Sequence, residues 1–440
     1  MKKHFKYLLF LIFYIFLLQI KVFAVTADED RLIPIDLKTA ISVAENKNID
    51  YIAAKKNSEI AQQKIKAAGR FQNPTLSTQV NFGRAGQNNT DNIMLNETIE
   101  VAKRGPRIAT AKAQYEQTRQ EIDYLRFQLN LNVRKSYTDL LTAKFIYTNL
   151  LKYEELLFKL YKLAKEEFAV KKLGKLDFLQ IEVAFNSIIP DLNQARADVE
   201  LKREAFNRII NSNEDKIYDV ANFQLPQNNG FEHLLMPNPD ANLPDVEEYI
   251  KVGLENRFDI KQAKQKVFIA EKKLIIAKRQ RIPDIQMFGG YQSVRKSMNP
   301  DNEYLAGAFV GTALNNIPVF YTFRPEIKAA RSELEQAELE YDSVVKNAQK
   351  DIITKYKQFK TAKENLNYYN KNLMVTPDKL LSAAGEIYMK GGKKDVTAMV
   401  VLEQSCREIT KNYTETLVTY YNSWIKLLEA VQNENYLSDL

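Results

Sequence analysis

From Pro106 to about Val170 the apolar positions Ile122, Leu125, Leu129, Val133, Tyr137, Leu140, Leu141 and Phe145 step by three and four. That spacing sets a stripe of side chains along one face of a helix. Some 65 residues in this pattern would reach about 100 Å at 1.5 Å per residue. The periodicity returns from about Glu326 to Met389, where Pro377 is expected to bend the helix because it removes one backbone hydrogen bond. Ahead of each long run the period changes to two. In TLSTQVNF (75–82) Leu76, Val80 and Phe82 share one face, and Ser77, Gln79 and Asn81 share the other. NIMLNETIEV (92–101) sets Ile93, Leu95, Ile99 and Val101 against Asn96, Thr98 and Glu100, with Glu97 interrupting the oily face. These are strands with one apolar and one wet side. DIQMFGGYQSV (284–294) and EYLAGAFVGTAL (303–314) supply a second pair, and the polar stretches GRAGQNNTD and VRKSMNPDN turn each pair into a hairpin.

The chain repeats itself. Residues 37–74, ending at Pro74, parallel residues 246–283, ending at Pro283, and TIEVAKRGPRIATAKAQ (98–114) answers NIPVFYTFRPEIKAARSELEQ (316–336). Each long helix starts near a proline, Pro106 or Pro325, where the missing N–H costs nothing. Each ends at a loop, FAVKKLGKLDFLQ (168–180) or YMKGGKKDVTAMVVLEQ (388–404), before a helix returns to about Asn211 or Ala430. About 34 residues before the first strand and about 35 after the loop nearly match the long helix, so two shorter helices placed end to end can pair antiparallel with it. The expected organisation is a first repeat over 25–210, a connector rich in asparagine and proline over 211–245, a second repeat over 246–430 and a tail over 431–440. Glycine (14) and proline (13) are scarce in 440 residues, which fits a mainly α fold with a β contribution.

Residues 1–24 place Lys2, Lys3 and Lys6 before an apolar run from Tyr7 to Ile20 and end in Val-Phe-Ala, the pattern of a cleaved secretory leader. No later run approaches the roughly 18 to 20 apolar residues of a spanning helix, so membrane insertion would need a closed β-barrel. Four strands per chain cannot close one, since the smallest spanning barrels use about eight. Identical chains must then share a barrel, unless the hairpins pack on the helices in water. The one cysteine, Cys406, cannot form an internal disulfide and reads as a buried helix residue; none stands at the cleavage site to carry a lipid. Net charge is +8, but lysines and glutamates interleave along the helices, which describes a solvated surface and no nucleic-acid interface. The two histidines, His4 in the leader and His233 in the connector, form no metal-ligand cluster, and no nucleophile has a neighbouring base. Neither an enzyme nor a cofactor is expected.

Taken in order, these features resemble the TolC family of outer-membrane efflux channels, in particular its CzcC-like branch. The resemblance rests on the duplicated helix, hairpin, helix, loop, helix plan, on ETIEVAKRGPRIATA at the start of the first long helix, on IPVF (317–320) followed by Arg324 and Ile327, and on VTPDKLLSAAGEIYMKGG before the second loop. It implies a homotrimer with four strands per chain in a twelve-stranded barrel in the outer membrane, above a helical tunnel in the periplasm. It implies a passive conduit for small molecules or metal ions, with outer-membrane lipid, a periplasmic adaptor and an inner-membrane pump as partners. At the periplasmic tip, Asp177 and Tyr388 match the acidic and aromatic partners of a closing link, and Lys393 stands where the family often has arginine. Gly174, Gly391 and Gly392 would allow the tip turns. Acidic residues that ring the aperture in some members correspond here to Thr397 and Val400, so Asp177 or Asp395 would have to supply that charge. The same plan also suits a channel for protein secretion, and a soluble periplasmic scaffold is the alternative if the hairpins are not membrane strands.

Overall fold

The computed structural model describes residues 32–80, 89–210, 217–220, 237–295, 304–315, 317–373 and 396–433. In chain order its elements are β1 (Leu32–Ile35), α1 (Leu37–Lys47), α2 (Ile49–Gly69), β2 (Thr75–Gln79), β3 (Asn89–Ile99), α3 (Arg104–Ala169), α4 (Lys175–Ile209), β4 (Ile217–Val220), α5 (Val246–Asn256), α6 (Phe258–Arg279), β5 (Asp284–Arg295), β6 (Tyr304–Asn315), α7 (Arg324–Asn372) and α8 (Val396–Val431). The first long helix and all four expected strands are therefore present. The leader, His233, Pro377 with its expected bend, and the run up to Met389 lie outside the described residues.

Each expected helix ahead of a hairpin is in fact two, and the break falls at equivalent points of the repeat. Asn48 leaves helical geometry at ψ 117°; its side-chain oxygen accepts from the Tyr51 amide at 3.0 Å and its amide donates to the Ile209 carbonyl at 3.1 Å. It thereby ends α1 and caps α2 with the same group. Arg257 marks the equivalent break between α5 and α6 by its backbone alone, at ψ 129° and with no side-chain cap bond, while its guanidinium is held on Asp259 at 2.8 Å. Apolar periodicity continues across both breaks, so the pattern alone reads as one helix.

The described residues fall into two units. One draws on Met1–Ile52, Leu125–Asn256 and Gln349–Leu440. Its core is aromatic: Phe206, Tyr249, Phe359 and Tyr420 are essentially buried, with Phe359 stacked on Tyr420 at 5.2 Å. Each such side chain removed from water contributes roughly 1.5–3 kcal/mol. Gly253 permits a close helix approach, since a Cβ there would lie 2.5 Å from Cδ1 of Ile352. β1 pairs parallel with β4, a strand within the expected connector. The β4 backbone at Tyr218 is also gripped by Asn207, which donates to its carbonyl and accepts from its amide, both at 2.8 Å. Asp219 meets Lys144 at 2.8 Å and Arg203 at 3.5 Å, so the charge carried into this packed region has two partners. Pro190 stands inside α4, which continues through it without the bond from residue 190 to the Asn186 carbonyl.

The other unit draws on Ala53–Tyr124 and Arg257–Ala348. Its helices meet through small buried residues, among them Ala61, Ala113, Ala270, Ala277 and Ala330, which let helix axes approach closely. Its four strands form one antiparallel sheet in the order β2-β3-β5-β6. The register places Leu76, Ile93, Leu95, Ile285, Met287, Tyr291, Val310 and Leu314 on one face, where all are exposed. Ser77, Gln79, Asn92, Asn96, Thr98, Gln286 and Gln292 lie on the other. That polar face carries an aromatic island. Phe288 lies opposite Gly311 and Phe309 opposite Gly290, with ring centroids 6.3 Å apart. A Cβ on Gly311 would sit 2.5 Å from the Phe288 ring, and one on Gly290 would strike the Ile93 carbonyl oxygen.

Where strands meet helices, the Lys-Arg-Gly-Pro-Arg stretch acts as a clamp. Arg104 Nε donates to the Gly69 carbonyl and Arg107 Nε to the Ala68 carbonyl, both at 2.8 Å. These satisfy carbonyls that the end of α2 leaves without helical partners. Lys103 bonds Asp284 at 2.5 Å, tying the start of α3 to the first residue of β5.

Candidate functional site

The first of the two loops expected at the tip, in the first unit, joins α3 to α4 in five residues. Lys171 takes the left-handed conformation at φ 59°. Its amide donates to the Phe168 carbonyl at 3.0 Å, and the Lys172 amide donates to the Glu167 carbonyl at 2.9 Å. This pair of bonds is the Schellman ending of a helix, here built without glycine. Gly174 is extended, at φ −68° and ψ 152°, and caps α4 with no side-chain bond. The left-handed position of the turn is thus Lys171. What Gly174 provides is room: a Cβ there would stand 3.2 Å from Asp177 Oδ2.

Asp177 is half-buried in the first turn of α4, where the helix dipole favours an anion. It does not cap the helix, a role taken by the Gly174 backbone. Tyr388, Lys393, Gly391, Gly392 and Asp395 lie outside the described residues. Thr397 donates to Gln180 Oε1 at 3.1 Å, which ties the start of α8 to α4. Val400 packs against the buried cluster beneath the loop.

Five aromatic rings hold α3 to α4 below the turn. Phe168 stacks on Phe178 at 4.9 Å, Phe178 on Tyr161 at 6.0 Å and Tyr161 on Phe185 at 5.3 Å, and Phe158 meets Phe185 at 5.8 Å. Against this ladder lies a core of Tyr153, Leu157, Leu160, Ile181, Ile188, Met399 and Cys406. Cys406 is buried in α8, the setting expected of it.

One residue of this core was not singled out in the sequence. Glu403 of α8 is 1% exposed and faces a small cavity lined by Leu157, Leu160, Ile181, Val396, Met399 and Val400. Neither carboxylate oxygen has a hydrogen-bond partner among the described residues. Arg407, one turn away, comes to 3.5 Å and is itself held by Asp191 at 2.9 Å. Burial raises the Glu403 pKa above the usual carboxylate value, and the Arg407 charge offsets part of that rise. Glu403 falls on the apolar stripe of α8, and a single glutamate among so many carries no mark of burial in sequence.

Among the described residues no helix is long and apolar enough to cross a membrane, and no group of His, Cys, Asp and Glu is arranged to hold a metal ion. Residues 250–383 match the outer membrane efflux protein family. No curated protein matches the chain in sequence. Among solved structures, CusC, described in terms of folding and transmembrane channel formation, is 15% identical, with TM-score 0.70 over 91% of this chain and 93% of that one. The CmeC outer membrane channel of Campylobacter jejuni is 15% identical, with TM-score 0.67 over 90% of this chain and 85% of that one. The open state of the MtrE outer membrane channel of Neisseria gonorrhoeae is 17% identical, with TM-score 0.65 over 91% and 89%. The chain thus has the fold of these outer-membrane channels, and its similarity to the outer membrane efflux protein family lies in residues 250–383.

Proposed function

We propose that three copies of this chain form an outer-membrane channel, the passive exit duct of a tripartite efflux system, and that residues 1–24 direct its export. One observation carries the reading: each chain offers a single four-stranded sheet with an exposed apolar face and a largely polar opposite face. The outer strands β2 and β6 pair on one side only among the described residues. Open sheet edges are not tolerated in lipid, so such a sheet becomes stable there only when copies complete each other's edges. Twelve strands then enclose a water-filled lumen lined by the polar face. Nothing in this arrangement performs covalent chemistry. Small molecules or metal ions pass through, and an adaptor and an inner-membrane pump supply docking and energy.

At the tip, Asp177 is the described residue fitted to a closing link, because it is half-buried at the start of α4 and reachable from a neighbouring helix end. Tyr388 is its proposed aromatic partner. The test is planar-bilayer conductance of the purified oligomer. The wild type should insert as heat-modifiable trimers with low resting conductance, and Asp177→Asn should raise that conductance several-fold without altering trimer yield. Monomers that remain soluble without detergent would overturn the channel. Unchanged current in Asp177→Asn trimers would overturn the gate alone.

A further inference from the structure

The sheet carries a second feature at the end where the helices join it. Ile282 just before β5, Phe71 just before β2, and Ile317, Val319 and Phe320 just after β6 are all exposed, Phe320 completely. The register places these positions at one end of the sheet, since Asp284 pairs with Asn315 and Ile285 with both Leu314 and Ile99. The segment after β6 is pinned. Phe323 sits in the left-handed region at φ 52°, a conformation a bulky residue adopts only when its surroundings hold it there. Arg281 Nε donates to the Thr322 carbonyl at 2.8 Å, and Tyr321 packs edge-on against Phe323 at 5.2 Å. A strained, fastened loop that points apolar side chains outward is built to present them.

Basic residues surround it. Arg70, Lys278, Arg279, Arg281 and Arg324 are exposed, and none has a carboxylate partner among the described residues. Lys103 and Arg107 in the same region are neutralised by Asp284 and Glu100, so the uncompensated positive charge belongs to the exposed set. Apolar and aromatic side chains beside cations that have no carboxylate partner among the described residues, at the border of an oily face, match one surface: the headgroup layer of a bilayer that contains anionic phospholipid.

We infer that this collar docks on anionic phospholipid headgroups, with Phe320 and its neighbours seated just below the phosphates and Arg70, Lys278 and Arg324 on them. The inference rests on the sheet being embedded in lipid, as proposed above. It anchors the channel at a set depth.

Native mass spectrometry of the full-length protein tests it, with phosphatidylglycerol and phosphatidylcholine as probes. The wild-type trimer should retain phosphatidylglycerol in preference. Arg70→Gln/Lys278→Gln/Arg324→Gln, which disturbs no hydrogen bond described here, should form trimers and lose that preference. Each basic residue at such a surface is worth a factor of about five, so three give a fall on the order of 100-fold at low salt. Equal retention of both lipids by the wild type, or unchanged preference in the triple variant, would overturn the collar while leaving the channel intact. Phe320→Ser should keep its oligomeric state and lose protection from quenching or labelling at neighbouring sites in vesicles. If it instead dissociates to monomers, the patch joins two copies of the chain and the lipid assignment is wrong. Failure of the wild type to insert or form trimers would refute the embedded sheet itself.

Discussion

Replacing Glu403 by glutamine isolates the cost of one buried charge. The carboxylate is 1% exposed, both oxygens lack hydrogen bonds, and the elements packed around it present Leu157 and Leu160 from α3 and Ile181 from α4. The charges that face it are Arg407 at 3.5 Å and, beyond that, Asp191, which holds Arg407. Because its pKa is raised in the folded chain, the folded state holds this proton more tightly than the unfolded one. The proton-linked stability is fully present below the unfolded value of 4.5 and is lost as pH rises through the folded value. At neutral pH the ionised carboxylate therefore weakens the packing beneath the α3–α4 loop. Glutamine has the same shape and no charge, and Arg407 keeps Asp191. Neutralising a buried ion is commonly worth about 1–3 kcal/mol, which for cooperative unfolding of a chain this long raises Tm by roughly 1–3 °C. Melts of the detergent-solubilised oligomer should show Glu403→Gln more stable than wild type at pH 8 and indistinguishable near pH 4. A variant equally destabilised at both values would refute the reasoning, because the carboxylate would then be held by contacts that do not depend on its charge.

Gly290→Val should prevent the β3 and β5 strands from pairing, because its side chain meets the Ile93 carbonyl, a backbone atom that cannot move aside; loss of heat-modifiable oligomer in membrane fractions is the expected result. Asp219→Asn leaves Lys144 and Arg203 without their anion and should cost about 2–4 kcal/mol, seen as a lower denaturation midpoint and faster proteolysis at β4. Burial raises Tyr413 to about 12 and pushes Tyr420 and Tyr421 up as well. Their contribution is present below the unfolded value of 10 and lost above it, so ultraviolet titration should find a class of tyrosines that ionises only as the protein unfolds in alkali, well after the exposed ones.

The three-and-four spacing from Ile122 to Phe145 and the alternation in TLSTQ, NIMLNETI and DIQMFGGYQS were enough to locate α3 and the sheet. Each pattern reports which side of an element is apolar, and that is a local property of consecutive residues. The break at Asn48 was hidden because its cap needs one side chain reaching the right backbone groups, one of them 161 residues away at Ile209, and the break at Arg257 because the backbone turns there with no side-chain cap at all. The Phe288 and Phe309 island, the cation clamp on the end of α2 and the buried Glu403 likewise depend on which elements lie side by side. Asp177 was legible as a residue beside the loop after the first long helix, but its surroundings were not: Lys171 makes the left-handed turn and Gly174 supplies the space. Sequence by itself determined the kinds of element, their duplication and the two-sided character of the strands, because hydrophobic period is written along the chain. Only the tertiary structure decided where helices break, which charges are paired and which carboxylate is sealed in a core, because those depend on distances between residues that are far apart in the chain.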